Sequence, residues 1–359
     1  MNPKINLLTG KERALNGMLN KETDRTSVHP AIDVSYAAKL YGKRVGECFI
    51  NPGLHAKALE NVFSEHPHVD GLYVNLCLSP GSFEKTWKEG SDTYVLDNGG
   101  MTWYVPPDDV GSVKAHQIVR IDDLLLKTKN PLKDGIIDTY KAIRGDIKEK
   151  YLIVPGLTGP FSQLVFMLGL TETLLLIYDQ PEELKQALEW RTQKAIEWAD
   201  SFIKIGVECV WIGEGAASSS IISPDTYSEF VLPYATRVVE HLNANGIVTI
   251  MHVCGDINQS VGVIAKTGVD AMDIDYMVDL STARNSIERQ ICLRGNLSPM
   301  DLIGMSSDEI VEHCKKIIDT AGFPFVLSTG CVVARDTPKG NIDAMVAASF
   351  AHPGEIKQL

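Results

Sequence analysis

Basic residues are scarce in this chain of 359 residues: 34 Lys and Arg stand against 46 Asp and Glu, a formal net charge of −12. A surface of that sign repels phosphate backbones and anionic headgroups, which argues against nucleic acid or a membrane surface as partner. It leaves open a local basic pocket for an anionic substrate. Long apolar runs are also missing. The most apolar stretch, Leu164 to Tyr178, is interrupted by Thr171, Glu172 and Thr173 and is too short to cross a bilayer. The first residues lack the basic-then-apolar layout of a secretory signal. Seven cysteines, odd in number and scattered, make no disulfide framework and fit reduced thiols. The expectation is a soluble, cytoplasmic protein. Neither a Gly-x-Gly-x-x-Gly fingerprint nor a Gly-x4-Gly-Lys-Ser/Thr loop occurs, so nothing supports a nucleotide site of either kind. With no low-complexity run, short-period repeat or evident linker, one domain over residues 1–359 is expected.

What the chain does have is regular alternation within an ordinary globular composition, 44% hydrophobic and 22% charged. Thr9 and Glu12 stand at capping-box spacing, with Leu15, Met18 and Leu19 following in helical period, which predicts a helix within an N-terminal segment 1–28. Residues 30–36 and 69–77 read as strands. Between residues 82 and 106, Trp87, Tyr94, Val95 and the run Met101 to Val105 surround Gly99 and Gly100, the pattern of an inserted antiparallel hairpin. After residue 150 come short apolar strands at 151–154, 209–212, 247–251, 269–275, 291–294 and 325–328, separated by helical stretches. One of these helices starts with Pro224 at its first position and runs to about Asn245. Such alternation implies parallel strands joined by crossover helices. Five strand–helix units after residue 150, with one or two strands before them, favour a closed (β/α)8 TIM barrel over an open sheet.

Barrel active sites lie at the C-terminal ends of the strands, which gathers Glu214, His252, Cys254, Asp273, Asp275, Asn296 and Cys331 at one mouth. His252 and Cys254 end an apolar strand two residues apart, so both side chains leave the same face. Cys331 follows another strand and a glycine. Any one cysteine is most often inert core, but thiolates with an imidazole suit Zn2+, and three protein ligands leave a coordination position open for chemistry. Two strands separate the His-x-Cys pair from Cys331, so the ring itself must bring them together. Glu214 is read as a catalytic-site carboxylate, either a ligand when substrate is absent or a support for His252, against the alternative of a solvated loop group. Asp273 and Asp275 share a face, so one orients a ligand or substrate, or both serve barrel hydrogen bonds or a helix cap. Asn296 contacts substrate or braces its loop. Arg294 pairs with an anion or forms a salt bridge inside the barrel.

Several of these runs carry a resemblance. Leu8 to Arg13 with Asp24 and Arg25, Gly159 to Ser162, Ser223 to Phe230 with Pro233 and Tyr234, and Gly295 to Pro299 resemble the uroporphyrinogen decarboxylase superfamily over essentially the whole chain. The resemblance implies a (β/α)8 barrel. The decarboxylase branch grips porphyrinogen carboxylates with an Arg-rich N-terminal segment, and residues 26–36 here contain no Arg. The branch that this chain looks like is the methylcobamide:coenzyme M methyltransferases, which hold zinc with a His-x-Cys pair and a distant Cys. That resemblance implies zinc on His252, Cys254 and Cys331, a thiol such as coenzyme M as methyl acceptor, and methylcobamide supplied by a partner corrinoid protein. No Asp-x-His-x-x-Gly cobalamin motif occurs in the chain itself. Three other readings stay open: a corrinoid-linked demethylase working in the opposite direction, a metal-free tetrapyrrole decarboxylase, and a barrel with no catalytic role.

Overall fold

Short strands whose side chains alternate between two apolar environments can close into a ring, and the computed structural model shows that ring. It describes residues 8–75, 77–98, 100–115, 135–287 and 291–350. The strands are β1 (Ser27–Val28), β2 (Gly71–Val74), β3 (Phe83–Glu89), β4 (Asp92–Asp97), β5 (Thr102–Val105), β6 (Ser112–Ala115), β7 (Leu152–Thr158), β8 (Cys209–Gly213), β9 (Val248–His252), β10 (Ala271–Ile274), β11 (Cys292–Leu297) and β12 (Phe325–Thr329). Eight pair in the order β1-β12-β11-β10-β9-β8-β7-β2, and every neighbouring pair is parallel. The Asp70 N–H donates to Val28 O at 2.8 Å and the Tyr73 N–H to Ile32 O at 3.2 Å, closing the ring between β1 and β2. The architecture is a (β/α)8 barrel.

Alternation sorts the side chains. Outward residues such as Leu72, Val210, Met251 and Leu293 join the large core shared with the helices. Inward residues such as Val154, Cys209, Ile250, Cys292 and Val326 form a second, smaller core within the barrel, filled by side chains rather than hollow. The N-terminal helix α1 (Gly10–Met18) supplies Ala14 and Met18 to that inner core. It is held by the expected capping box: Thr9 accepts from the Glu12 N–H at 3.1 Å, and Glu12 accepts from the Thr9 N–H at 2.8 Å. A buried ion network fastens the helix to the ring. Arg13 donates to Asp70 at 2.6 Å and to Asp24 at 2.8 Å, and Arg25 reaches Asp70 at 3.0 Å. The Arg13, Asp24 and Arg25 of the resemblance therefore close the barrel's N-terminal end, opposite the mouth. Residues 1–7 of the expected N-terminal segment lie outside the described residues.

Three expectations about local structure are corrected. No strand forms over the expected 30–36: the two-residue β1 ends at Val28, before that span, and helix α2 (Val34–Leu40) occupies its second half. Pro30 has no N–H for a ladder, and the Asp33 side chain accepts the Ser35 N–H at 2.8 Å, a helix cap that ends the extended run. The insertion at 82–106 is larger than a hairpin: β3, β4, β5 and β6 make a four-stranded antiparallel sheet reaching Ala115. Gly99 of the expected turn lies outside the described residues. Six strands after residue 150, with β1 and β2 before them, complete the eight. Between them run α3 (Pro52–Glu65), α4 (Pro160–Leu168), α5 (Pro181–Lys204), α6 (Pro224–Phe230) and α7 (Leu232–Ala244). The helix expected from Pro224 to Asn245 is thus two, divided at Val231, whose φ of −120° and ψ of −54° leave the helical region just before Pro233. Among the described residues no single helix is long and apolar enough to cross a membrane.

One buried group in α3 makes acid stability testable. His55 is fully buried with both ring nitrogens unpartnered, and burial alone drives its pKa down to about 3. The folded chain binds fewer protons there than the unfolded one below pH 6.5. This contribution is therefore intact above that pH and is lost as pH falls toward 3. Between pH 7 and pH 5 the loss amounts to roughly 2 kcal/mol. Urea titrations of His55→Leu at the two pH values are expected to show that part of the acid slope removed. An unchanged slope refutes the assignment.

Candidate metal centre

The site is built on strand tips. β9 ends with His252, and Cys254 projects two residues further on. Gly255, at φ +78°, then turns the chain. Cys331 follows β12 through Gly330. A Cβ at Gly330 would lie 2.2 Å from the Tyr276 nitrogen, so only glycine lets this loop sit against the segment after β10. The Gly330 N–H also donates to Leu297 O at 2.8 Å. The outcome is a trio: one ligand atom each from His252, Cys254 and Cys331 lies within 4.8 Å of the others. His252 Nε2 stands 2.9 Å from Cys254 Sγ. His252 is buried, and the two thiols are half-buried.

The strand register fixes what lies behind the imidazole. Asp273 pairs with His252 on one side and with Arg294 on the other. Asp273 Oδ2 lies 3.5 Å from His252 Nδ1, which has no hydrogen-bond partner. The same carboxylate accepts from Trp211 Nε1 at 2.8 Å, from the Tyr73 hydroxyl at 3.2 Å and from Arg294 at 2.7 Å. Arg294 is fully buried and also donates to Ser328 and to His29 O, so it forms the internal salt bridge that was one of its two readings. Burial opposes charge on His252, but Asp273 and the two thiols outweigh it and hold the imidazole well above its ordinary value. Hydrogen bonding to Cys254 and His252 holds Cys331 below the usual thiol range, while Cys331 and burial push Cys254 above it.

The other expected residues take distinct places. Asp275 accepts the Gly255 N–H at 2.9 Å and the Met277 N–H at 3.3 Å, so it pins the turn after Cys254. Asn296 donates to Val278 O at 3.0 Å and Asp275 O at 3.4 Å; it braces its loop and does not line the cavity described below. Glu214 is neither a solvated loop group nor part of the trio. It is fully buried and accepts the N–H groups of Phe161 at 3.2 Å and Ser162 at 2.8 Å in the first turn of α4. Burial lifts its carboxyl to about 7 against those N–H groups. Gly159 is needed for that clamp, since a Cβ there would stand 2.1 Å from Glu214 Oε1.

A small cleft adjoins the trio and is lined by Asp33, Tyr73, Asn75, Trp211, His252 and Cys331 among others. The sequence reading missed Asp33, Tyr73 and Trp211. Alternation in β8 carried a signal for Trp211, which leaves the same face as Cys209, and its ring stacks on His252 with centroids 5.2 Å apart. Asp33 carried only a weak one, a lone charge between Ile32 and Val34. It is 2% exposed, and burial pushes its carboxyl up to about 6, still ionised at neutral pH.

Residues 93–352 match the family model described as Uroporphyrinogen decarboxylase (URO-D). Methylcobamide:CoM methyltransferase MtbA of Methanosarcina mazei is 26% identical over 239 residues, covering 66% of this chain and 70% of the relative. A uroporphyrinogen decarboxylase of Wigglesworthia glossinidia brevipalpis is 25% identical over 272 residues, covering 72% and 71%. A solved methyltransferase from Methanosarcina mazei has the same fold, with a TM-score of 0.80 at 22% identity over 96% of this chain and 99% of that one. The family match spans well over half of the chain, and with it the strand tips that carry the trio: this chain belongs to the uroporphyrinogen decarboxylase (URO-D) family.

Proposed function

We propose that this chain is a zinc-dependent methyltransferase that moves a methyl group between a methylated corrinoid protein and a small-molecule thiol, as a single barrel domain in the cytoplasm. The observation that carries the reading is the meeting of His252, Cys254 and Cys331 at the barrel mouth, in a chain whose relatives include methylcobamide:CoM methyltransferases. Cys48, Cys209, Cys254, Cys292, Cys314 and Cys331 are free thiols, in keeping with a reducing compartment. The donor set suits zinc. Tetrahedral Zn–S and Zn–N bonds of about 2.3 and 2.0–2.1 Å separate neighbouring donors by roughly 3.5–3.8 Å, inside the 4.8 Å that bounds the trio and wider than the 2.9 Å between His252 Nε2 and Cys254 Sγ, which a bound ion would spread. Ligation through Nε2 leaves the His252 ring proton on Nδ1, facing Asp273, a common arrangement for metal-binding histidines.

A zinc ion held there lowers the pKa of a thiol from about 8.5, so that the sulfur is ionised at neutral pH. The chain's own residues hold the geometry. Asp273 fixes the tautomer and plane of His252, Arg294 neutralises Asp273, and Trp211 walls one face of the imidazole. Asp275 keeps Cys254 at the tip of its turn. In the transfer itself a sulfur–carbon bond forms as the cobalt–carbon bond breaks; the broken bond's electron pair stays on cobalt, and the thiol proton has already left to solvent. The corrinoid is then a substrate brought by a partner, and the reverse reaction uses the same parts.

Metal analysis is expected to return about one zinc per chain, and added thiol to introduce a new Zn–S contact at about 2.3 Å in X-ray absorption. Methylcobalamin with a thiol, run beside cob(I)alamin with a methyl thioether, fixes the preferred direction. Protein without zinc, or zinc whose spectrum ignores every thiol, sinks the reading.

A further inference from the structure

The cleft beside the trio contains a carboxylate that no cation answers. Asp33 lines it together with His252, Cys331 and Trp211. Its hydrogen bond is to the Ser35 N–H, and among the described residues no Lys, Arg or His forms an ion pair with it. Capping α2 does not require the charge, because Asn and Ser cap helices about as well as Asp. The other lining carboxylate, Asp273, is neutralised by Arg294. With zinc in place, two thiolates offset its two charges and Arg294 offsets Asp273, so Asp33 leaves the described cleft at −1. The zinc-bound substrate thiolate takes that to −2; an anionic tail then takes it to −3 with no lining cation to meet it, whereas an ammonium tail returns it to −1. Burying a charge without a partner is strongly unfavourable. The half-buried Trp211 in the same wall adds an indole, the aromatic ring best suited to cations.

We infer that the small molecule exchanging its methyl group here carries an ammonium group seated against Asp33, rather than a sulfonate or carboxylate. This inference rests on the methyl-transfer reading above and narrows its substrate class.

The test has two arms on the zinc-loaded chain. In the first, calorimetry compares two sulfur-free probes of equal length, propylammonium and propanesulfonate. The ammonium is expected to bind at least ~10-fold more tightly, about 1.4 kcal/mol. Asp33→Asn, which keeps the cap oxygen and removes the charge, is expected to bring the two probes to parity, and Asp33→Ser serves as a second cap-preserving variant. In the second arm, methyl transfer from methylcobalamin is compared for 2-aminoethanethiol, 2-mercaptoethanol and 2-mercaptoethanesulfonate. The expected order of kcat/KM is ammonium, neutral, sulfonate, with the spread collapsing in Asp33→Asn. A sulfonate that binds or reacts as well as the ammonium, weak binding of both probes, or a preference untouched by removing the Asp33 charge overturns the inference. Selective ammonium binding without methylation of any thiol leaves the cation site standing and removes the methyl-transfer reading instead.

Discussion

Cys331→Ala is expected to weaken zinc binding by about 10²–10³-fold, since structural zinc sites gather roughly 10–16 kcal/mol from four ligands and 1.4 kcal/mol is tenfold. Thiol methylation is expected to fall by at least ~30-fold wherever zinc is lost, because an unbound thiol near pKa 8.5 is only a few per cent ionised at pH 7. The same holds for Cys254→Ala and His252→Ala. The three substitutions should nonetheless differ in their effect on folding. Cys254 and Cys331 are half-buried at loop positions just beyond β9 and β12, so their alanine variants are expected to unfold near the wild-type midpoint once metal is removed by chelator. His252 is buried against Trp211 and Asp273, and its loss should lower that midpoint as well. Zinc content by elemental analysis, methylation from methylcobalamin and chelated unfolding curves together separate lost ligation from lost structure. Full zinc occupancy in all three variants would falsify the ligand assignment.

The parts of this molecule that were legible in the sequence are those whose signal is local or periodic. Apolar strands alternating with helices gave the parallel ring. The spacing of His252 and Cys254 brought both to one strand tip, although Cys254 falls two residues beyond the end of β9, and Thr9 with Glu12 gave the cap of α1. What was not legible depended on a competing local rule or on distant neighbours. Asp33 reads as the continuation of a strand until its carboxylate is seen capping α2. Pro233 follows an apparently continuous helical pattern, yet its effect falls two residues earlier at Val231. Glu214 is a charged residue between two glycines, which suggests solvent; its burial follows from the N–H groups of α4, supplied by residues more than fifty positions away. Asp273 is the sharpest case. Alternation placed it on the inner face, but no spacing rule reveals that Arg294, Trp211, Tyr73 and His252 all converge on its two oxygens. The identity of the groups at the mouth could be read one strand at a time, whereas their charge balance required the closed ring.

That balance yields the largest expected effect on stability. Arg294→Met is expected to destabilise the chelated protein by about 3–5 kcal/mol, the usual cost of removing one partner of a buried ion pair. Methionine fills much of the same volume, so the penalty comes from Asp273, left with its charge inside the barrel. Burial already pushes that carboxyl above its ordinary value, and the guanidinium's own pKa is drawn down to about 9 by the same surroundings. A second substitution separates charge from packing. Asp273→Asn alone strands Arg294, while Arg294→Met combined with Asp273→Asn leaves no net buried charge and should recover at least ~2 kcal/mol over the sum of the single variants. Urea unfolding of the four proteins at pH 7 measures this directly. The double variant should still bind zinc, but with His252 no longer facing a carboxylate its affinity is expected to drop by about 10–100-fold. Arg294→Met within 1 kcal/mol of wild type, or additive single effects, means that the pair does not hold the barrel mouth together. A weakened His252 would then have to be traced to Trp211 stacking instead.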